Sequence, residues 1–321
     1  MTFLFPTRKK TIGIECKDYV IRYVEGRSSS SAHVSSYGEA YIPPGIVKNG
    51  VIVDTNSFEL LLRSCVSKWG LKKKSIHFIV PDTFVVIRKQ QIPADITEEE
   101  IRGYIHLELG HSIHLPFESP TFDFIPLGQK EDKQEILLFA SPDIVVQSYA
   151  SMFEKAKLNP LSADLSSLSL MRVYEEDKKI SVDELMLLKL DVSDANITIF
   201  HETTPVFMQN QKFAYEDAIE FSPTGMTVRD KQLVMTEIDE LMEEIDRILH
   251  FYKYSFMGGA GNMQKLLLAG DHPLLEEVYG LMRNRLSFPA ELLSASSAAV
   301  ANDEAFRLKY YPALGLIGKG V

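Results

Sequence analysis

Two strand–turn–strand segments, one near the start of the chain and one past its midpoint, constrain the fold of this 321-residue protein most strongly. The first reads TIGIECKDYVIRYVE (11–25), and its polar turn covers 15–18. The second reads LMLLKLDVSDANITIFHE (185–202), and its polar turn covers 191–196. The order of apolar and polar positions repeats, although few residues are identical. We therefore predict an internal duplication, with a related unit in each half of the chain.

Helical periodicity follows the strand runs in each half. SFELLLRSCVSKWG (57–70) has apolar residues at helical spacing, with Ser57 as the candidate N-cap and Gly70 as the stop. DITEEEIRGYIHLELG (95–110) carries Thr97 and Glu100 at the spacing of a capping box. Further helices are predicted at about 143–158 and about 231–256, and a glycine-rich run at 258–261 ends the latter. Strands that alternate with such helices favour an α/β architecture.

Composition and charge exclude several functional classes. The net charge of −10 argues against a nucleic-acid surface, since such a surface must neutralise many phosphates. The one compact basic run, at 72–74, is typical of a solvated helix end. Two cysteines cannot form a disulfide framework and fit a reducing compartment. The sequence contains neither a signal-peptide core nor an apolar run of about 18 residues, so we expect a cytoplasmic protein.

A series of short motifs, taken in order, resembles the PilM-like proteins of type IV pilus assembly, which are actin-like relatives of the division protein FtsA. The matching motifs are the hairpin turn at 15–18, Pro44-Gly45 with Gly50 and Ile52-Val53-Asp54, Arg88 before Ile92-Pro93, the acidic run 98–100, the segment 113–116, Asp123-Phe124, Asp191, the helix segment 244–256 and the terminal ALGLIGKG. The resemblance covers nearly the whole chain and rests on the order of many weak motifs.

This resemblance implies an actin-like (ribonuclease H-like) two-lobed α/β fold with an inserted α/β subdomain in the first lobe. The first lobe would span 1–182, with its core at 1–83 and 161–182 and the inserted subdomain at about 84–160. The second lobe would span 183–321.

The resemblance also implies a cytoplasmic adaptor of an inner-membrane assembly platform for pili, competence or secretion. A groove beside the inserted subdomain would take the N-terminal peptide of a PilN-like bitopic membrane protein, and the candidate groove residues are Arg88, Pro93 and Glu100. Extended peptides are commonly held by backbone hydrogen bonds and a few side-chain pockets. For Arg88, a structural ion pair is the alternative role. The assembly ATPase and further copies of the chain are additional candidate partners.

In the related ATPases, one hairpin in each lobe holds the phosphates of ATP and a divalent cation, so the resemblance makes ATP with Mg²⁺ a candidate cofactor. The candidate nucleotide-binding residues are Glu15, Lys17, Asp18, Asp191, Ser193, Asp194, Gly270 and Asp271. Lys17 and Ser193 stand where the family has glycine. Lys17 could neutralise a phosphate as a point charge. In contrast, the carboxylates of Asp18 and Asp194 would repel a phosphate. We expect nucleotide binding to be weak or absent. We also expect a binding protein rather than an enzyme, with weak ATPase activity as the open alternative.

Three alternative interpretations are weaker. An actin-fold ATPase or kinase needs an intact phosphate grip, which the replaced glycines oppose. An FtsA-like filament former typically ends in a basic amphipathic helix, whereas the tail YYPALGLIGKGV is short and glycine-rich. The cluster of His106, Glu108, His111 and His114 could bind zinc, but its spacing is not H-E-x-x-H, and we expect no metal site.

Overall fold

The computed structural model describes residues 10–27, 33–130, 132–177, 183–214, 218–223, 225–256, 261–294 and 308–319. The strands are β1 (Thr11–Cys16), β2 (Val20–Arg27), β3 (His33–Tyr41), β4 (Val47–Lys48), β5 (Val51–Ile52), β6 (Ser75–Ile79), β7 (Val86–Pro93), β8 (Pro120–Lys130), β9 (Lys133–Pro142), β10 (Asn159–Asp164), β11 (Glu184–Leu190), β12 (Asp194–His201), β13 (Thr204–Lys212), β14 (Ile219–Ser222), β15 (Gly225–Val228), β16 (Lys265–Gly270) and β17 (Ala290–Leu292). The helices are α1 (Thr55–Lys68), α2 (Glu98–Glu108), α3 (Asp143–Lys155), α4 (Ser166–Asp177), α5 (Lys231–Phe251), α6 (Leu275–Arg285) and α7 (Tyr311–Gly315).

Two five-stranded sheets with one topology form the body of the protein. The first sheet has the order β3-β2-β1-β6-β10, and the second has the order β13-β12-β11-β16-β17. In each sheet three consecutive strands form an antiparallel meander. A later strand then pairs in parallel with the first strand of that meander, and a second later strand pairs in parallel with the added one. The predicted duplication and the actin-like fold class are therefore confirmed at the level of strand order and direction.

Each sheet is covered by amphipathic helices. In the second half, α5 packs on its sheet through apolar residues spaced three and four apart, namely Val234, Ile238, Leu241, Met242, Ile245 and Ile248. In the first half, α1 and α3 share one apolar cluster with the first sheet, and Phe58 of α1 meets Tyr149 of α3 edge to face. Burial of these apolar faces is the main force that holds the helices on the sheets.

A third, smaller sheet of order β7-β9-β8 carries α2 on one face. Ile101 and Ile105 of α2 are fully buried against it, and the capping box of Thr97 and Glu100 is present as predicted. This unit covers 86–142, whereas the predicted insertion reaches about residue 160 and so includes α3, which packs with the first sheet. The predicted boundaries of the lobes and of the insertion stay a prediction.

The last described segment lies between the two sheets. Helices α4 and α7 pack together there, and their cluster includes Val24 of the first sheet and Leu187 of the second. Gly315 of α7 permits the close approach of α7 to α4, because a Cβ at that position would lie 1.8 Å from the backbone oxygen of Ser169. The terminal residues 311–317 are therefore buried, not presented at the surface. None of the helices in the described part of the chain has the length and apolar character of a membrane span.

One local prediction needs correction. Helix α1 begins at Thr55, and Asp54, not Ser57, is its N-cap, because the Asp54 carboxylate accepts the backbone N–H of Ser57 at 3.0 Å. The helix predicted at about 231–256 is present as α5 (Lys231–Phe251), which is followed directly by a π-helical turn (Tyr252–Phe256). Residues 258–260 of the predicted glycine-rich stop (258–261) lie outside the described residues.

Candidate functional site

The turns of the two long hairpins meet where strands of both sheets end. Glu15 is the penultimate residue of β1, and Lys17 stands in the turn that follows the strand. Asp191 follows β11, and Asp271 follows β16 at the neighbouring strand end. Because the carboxyl ends of parallel strands share one edge of a sheet, polar residues from both halves converge there. The geometry places the candidate site in this cleft between the two sheets.

Lys17 lies at the centre of the cleft and pairs with carboxylates of the opposite lobe. Its Nζ is 2.8 Å from Asp191 Oδ1 and 3.2 Å from Asp271 Oδ1, with Glu15 Oε1 at 3.7 Å. The side chain is only 8% exposed. Burial alone would lower the pKa of Lys17, but Asp191 and Asp271 outweigh it and raise the pKa above its ordinary value. Lys17 is therefore a charged, buried bridge between the lobes.

Lys189 makes the reciprocal bridge from the second sheet. Its Nζ is 2.6 Å from Asp191 Oδ2, 3.0 Å from Asp82 Oδ2 and 3.6 Å from Glu15 Oε1. Asp82 comes from the first half of the chain and also accepts a hydrogen bond from the Ser166 hydroxyl. Burial opposes the charge of Lys189, but Asp191 and Asp82 raise its pKa well above the ordinary value. Both lysines are thus held in place by carboxylates and remain charged.

Asp271 is the most heavily paired acid of the site. Its carboxylate accepts hydrogen bonds from the Tyr19 hydroxyl, at 2.6 Å, and from the Arg22 guanidinium. Burial would raise the pKa of Asp271, but Lys17 and Arg22 outweigh it and hold the pKa below its usual range. Asp271 is therefore ionised and joins the second lobe to β2.

Gly270 positions Asp271 through the backbone. Its φ is +122°, and a Cβ there would lie 1.9 Å from the carbonyl oxygen of Leu190. Only glycine fits such a close approach at a positive φ. The predicted site residue Gly270 therefore shapes the edge of the sheet, with no side chain to offer a ligand.

Two acids of the site have raised pKa values. Burial is the largest cause for Asp194, whose pKa rises to about 7 despite nearby Lys189. Burial also raises the pKa of Glu15, which is 2% exposed. Ser193 donates only a long hydrogen bond, 3.4 Å, to Asp194. Glu15 on the first hairpin and Asp194 on the second therefore add carboxyl groups to the cleft, and Ser193 adds little hydrogen-bond donor capacity.

Asp18 serves the loop beside the cleft. Its carboxylate accepts the backbone N–H groups of Asn49, at 2.6 Å, and of Gly50, at 2.8 Å. Asn49 and Gly50 both have positive φ, so this carboxylate fixes a left-handed turn. Asp18 also lines the cavity between the hairpins.

The cleft does not fit Mg²⁺ with ATP. Its cavity of about 40 Å³ is far smaller than the roughly 300–1,000 Å³ typical of small-molecule sites. Two backbone N–H groups of the hairpins are already used, since Lys17 donates to Val20 and Asp191 donates to Asp194. Lysine ammonium groups occupy the space between the carboxylates that a cation would need. The residues present favour an internal ion-pair network over a phosphate grip.

The three predicted groove residues lie on the inserted unit and do not converge. Arg88 and Pro93 are exposed on β7, five positions apart, so their side chains leave opposite faces of the sheet. Arg88 donates from Nη1 to the backbone oxygen of His114 at 2.5 Å. Glu100 accepts the Thr97 N–H at 3.0 Å, which is its capping role. The structure thus separates Pro93 from the other two.

Four residues of the cleft were not predicted from the sequence, namely Tyr19, Arg22, Asp82 and Lys189. Lys189 had a detectable signal, since it is the one charged residue between Leu185 and Leu190 in an apolar strand. A charge in a buried strand requires a partner, because an unpaired buried charge is costly. Among the described residues, no group of three or more His, Cys, Asp or Glu side chains is arranged to hold a metal ion.

Two sheets with the same strand order, whose hairpins face each other across a cleft, define an actin-like α/β protein. A solved structure described as the PilM-PilN type IV pilus biogenesis complex is 17% identical, with a TM-score of 0.74 over 97% of this chain and 98% of that one. The ethanolamine utilization protein EutJ from Carboxydothermus hydrogenoformans is 9% identical, with a TM-score of 0.54 over 97% of this chain and 90% of that one. The profile of the type IV pilus assembly protein PilM family matches residues 13–219, and the chain belongs to this family.

Proposed function

We propose that this protein is an adaptor of a type IV pilus assembly platform and acts by recognition, without nucleotide turnover. One observation carries the proposal: Lys17 and Lys189 fill the cleft and bridge the two lobes through buried ion pairs. In an actin-like ATPase, carboxylates at this place would serve a metal–phosphate group. Here they neutralise two lysines of the chain itself, so the protein needs neither ATP nor Mg²⁺ to hold its lobes together.

The proposed partner is the N-terminal peptide of a PilN-like bitopic membrane protein. Family membership supports this choice, as does the similarity to a structure that contains PilM with PilN. The adaptor would lie in the cytoplasm and reach the membrane through that partner. We also propose the assembly ATPase and further copies of the chain as partners.

The inserted unit is the proposed docking region. Arg88 is exposed and holds the backbone of His114 at the end of the segment that follows α2. A guanidinium can donate up to five hydrogen bonds, so Arg88 retains donors for the carbonyl groups of an extended peptide. Pro93 and Glu100 are exposed as well, although Pro93 lies on the opposite face of β7.

Calorimetric titration with a synthetic peptide tests the proposal. The peptide would be the cytoplasmic N-terminal segment of the PilN-like protein from the same organism. We expect saturable binding that Arg88→Ala weakens at least tenfold, whereas Arg247→Ala, an equal change at an exposed arginine of α5, leaves it unchanged. Absence of binding by the folded protein would overturn the adaptor proposal. Equal binding by both variants would overturn only the groove assignment.

Titration with ATP and Mg²⁺ tests the second part of the proposal, namely that the protein acts without nucleotide turnover. We expect no saturable heat at millimolar ATP. Micromolar binding would show that the lysine network opens for nucleotide and would favour an ATP-switched adaptor instead.

A further inference from the structure

A cluster of exposed lysines lies at the end of the first sheet remote from the cleft. The cluster, here called the lysine patch, consists of Lys10, Lys68, Lys72, Lys73, Lys155 and Lys157. It stands out because the whole protein carries a net charge of −10. We propose that the lysine patch is a contact surface for the anionic headgroups of a phospholipid bilayer.

The topology of the first sheet assembles this patch. Strands β1, β6 and β10 are neighbours and run parallel. Lys10 precedes β1, Lys73 precedes β6, and Lys157 precedes β10, so all three lie at the amino ends of adjacent strands. Three strands spaced about 4.8 Å apart span about 10 Å, which is close to the Debye length at physiological salt. The lysines therefore act on a charged surface together.

Backbone contacts fix the two lysine-bearing turns side by side. The N–H of Lys73 donates to the backbone oxygen of Lys157 at 2.6 Å. The N–H of Asn159 donates to the backbone oxygen of Lys74 at 2.9 Å. The patch is thus a built surface whose charges keep a fixed arrangement.

The lysines of the patch are poorly neutralised. Within the described residues their one ion pair is a long contact, 3.9 Å, between Lys155 and Glu59. Lys74 beside them is different, since it pairs with Glu25 at 2.6 Å. The exposed Glu154, in the last turn of α3, and Glu25, on which Lys10 acts electrostatically, are further acids beside the patch. The patch therefore keeps most of its positive charge.

The backbone conformation at Lys73 and Lys157 indicates that lysine at these two positions does not serve stability. Lys73 has a φ of +63° and Lys157 a φ of +67°. Asparagine and glycine adopt this left-handed conformation at lower cost than lysine. Lys68 and Lys155 have an ordinary structural role, since cations favour helix carboxyl ends. That role does not extend to Lys73 and Lys157, which lie beyond the helices.

The chemistry of the patch favours a bilayer over other polyanions. The exposed cations of the two turns that follow α1 and α3 are all lysines, which act as point charges and suit a surface without directional contacts, whereas arginine suits bidentate recognition of single phosphates. Nucleic-acid surfaces add aromatic rings for stacking. The nearest aromatic ring in the sequence, Trp69, is half-buried and packs on Tyr23 at 4.6 Å. The carboxyl end of β6 lines the cleft, so membrane contact at the patch leaves the cleft accessible.

Co-sedimentation of the full chain with lipid vesicles tests the proposal. Vesicles of phosphatidylcholine alone would be compared with vesicles that contain about one third phosphatidylglycerol. We expect binding to the anionic vesicles only, weakening as salt is raised well above about 0.1 M. Each lysine near an anionic membrane contributes about fivefold in affinity, so the triple variant Lys72→Glu, Lys73→Glu, Lys157→Glu should lose at least a hundredfold.

Two comparisons separate the patch from net charge and from folding defects. The triple variant Lys133→Glu, Lys212→Glu, Lys253→Glu changes the net charge equally at exposed lysines elsewhere, and it should retain at least a third of the affinity. The double variant Lys73→Asn, Lys157→Asn suits the left-handed backbone, so it should be at least as stable as the wild type and bind at least tenfold more weakly.

Three results would overturn the proposal. The first is equal binding to both kinds of vesicle. The second is an equal loss of affinity in the two triple variants. The third is tighter binding to polyglutamate than to anionic vesicles, which would assign the patch to an acidic protein segment.

Discussion

Replacement of Lys189 by methionine should destabilise the protein strongly and in a pH-dependent manner. Methionine preserves the length of an unbranched side chain but removes the charge. Asp82 would then lose its one cation within 4 Å among the described residues, and it would keep only the Ser166 hydroxyl as a donor. Asp191 and Glu15 would still have Lys17, at 2.8 and 3.7 Å. Breaking a buried ion pair costs about 3–5 kcal/mol, and the remaining lysine places this loss near 3 kcal/mol.

The sign of the pH dependence follows from the pKa values. The pKa of Lys189 is raised in the folded state, so its contribution is fully present below its unfolded pKa of about 10.4 and is lost only at higher pH. Between pH 5 and 8 the wild-type contribution of Lys189 is therefore constant. In the variant the uncompensated carboxyls bind protons as the pH falls, and burial already raises the pKa of Glu15. The loss should be about 3 kcal/mol at pH 8 and about half of that at pH 5.

Urea unfolding followed by tryptophan fluorescence measures this loss. Trp69 is the single tryptophan of the sequence and packs on Tyr23 in the first lobe, so its emission reports the lobe that Lys189 holds from the other side. Lys231→Met is the matched control, because Lys231 pairs with Glu277 at the surface and should lose less than about 1 kcal/mol. A loss below about 1 kcal/mol at pH 8, or equal losses at both pH values, would refute the network as a link between the lobes.

Two further substitutions test the local geometry by comparison with a matched partner. Gly270→Ala should cost more than about 3 kcal/mol or abolish folding, because its Cβ would meet the Leu190 carbonyl. Gly280 on α6 has open space around it, so Gly280→Ala should stabilise the protein by about 0.5–1 kcal/mol. Thermal unfolding and soluble yield measure both glycine variants. Equal effects would contradict the role of Gly270 in the close approach to Leu190. Asp54→Ala should cost about 1 kcal/mol through loss of the N-cap of α1, with Ser57→Ala near zero; the reverse order in thermal unfolding would restore Ser57 as the cap.

The hairpin repeat, the capping box of α2 and the long amphipathic α5 were all readable from the sequence. Each depends on residues a few positions apart, so periodicity and side-chain type are sufficient to predict them. The order of weak motifs also indicated the family. The N-cap of α1 was misassigned for a local reason, since Asp54 and Ser57 are both good caps and the sequence does not say at which residue the backbone turns helical.

The partners of the buried charges were decided by the tertiary structure. The sequence placed Lys17 and Asp191 at their hairpins, but it could not show that Arg22 would meet Asp271, 249 positions away, or that Lys189 would meet Asp82, 107 positions away. Ion pairs between lobes depend on how two separately predictable sheets face each other. That arrangement is set by burial of the whole apolar surface between them, including α4 and α7, and no local pattern contains it.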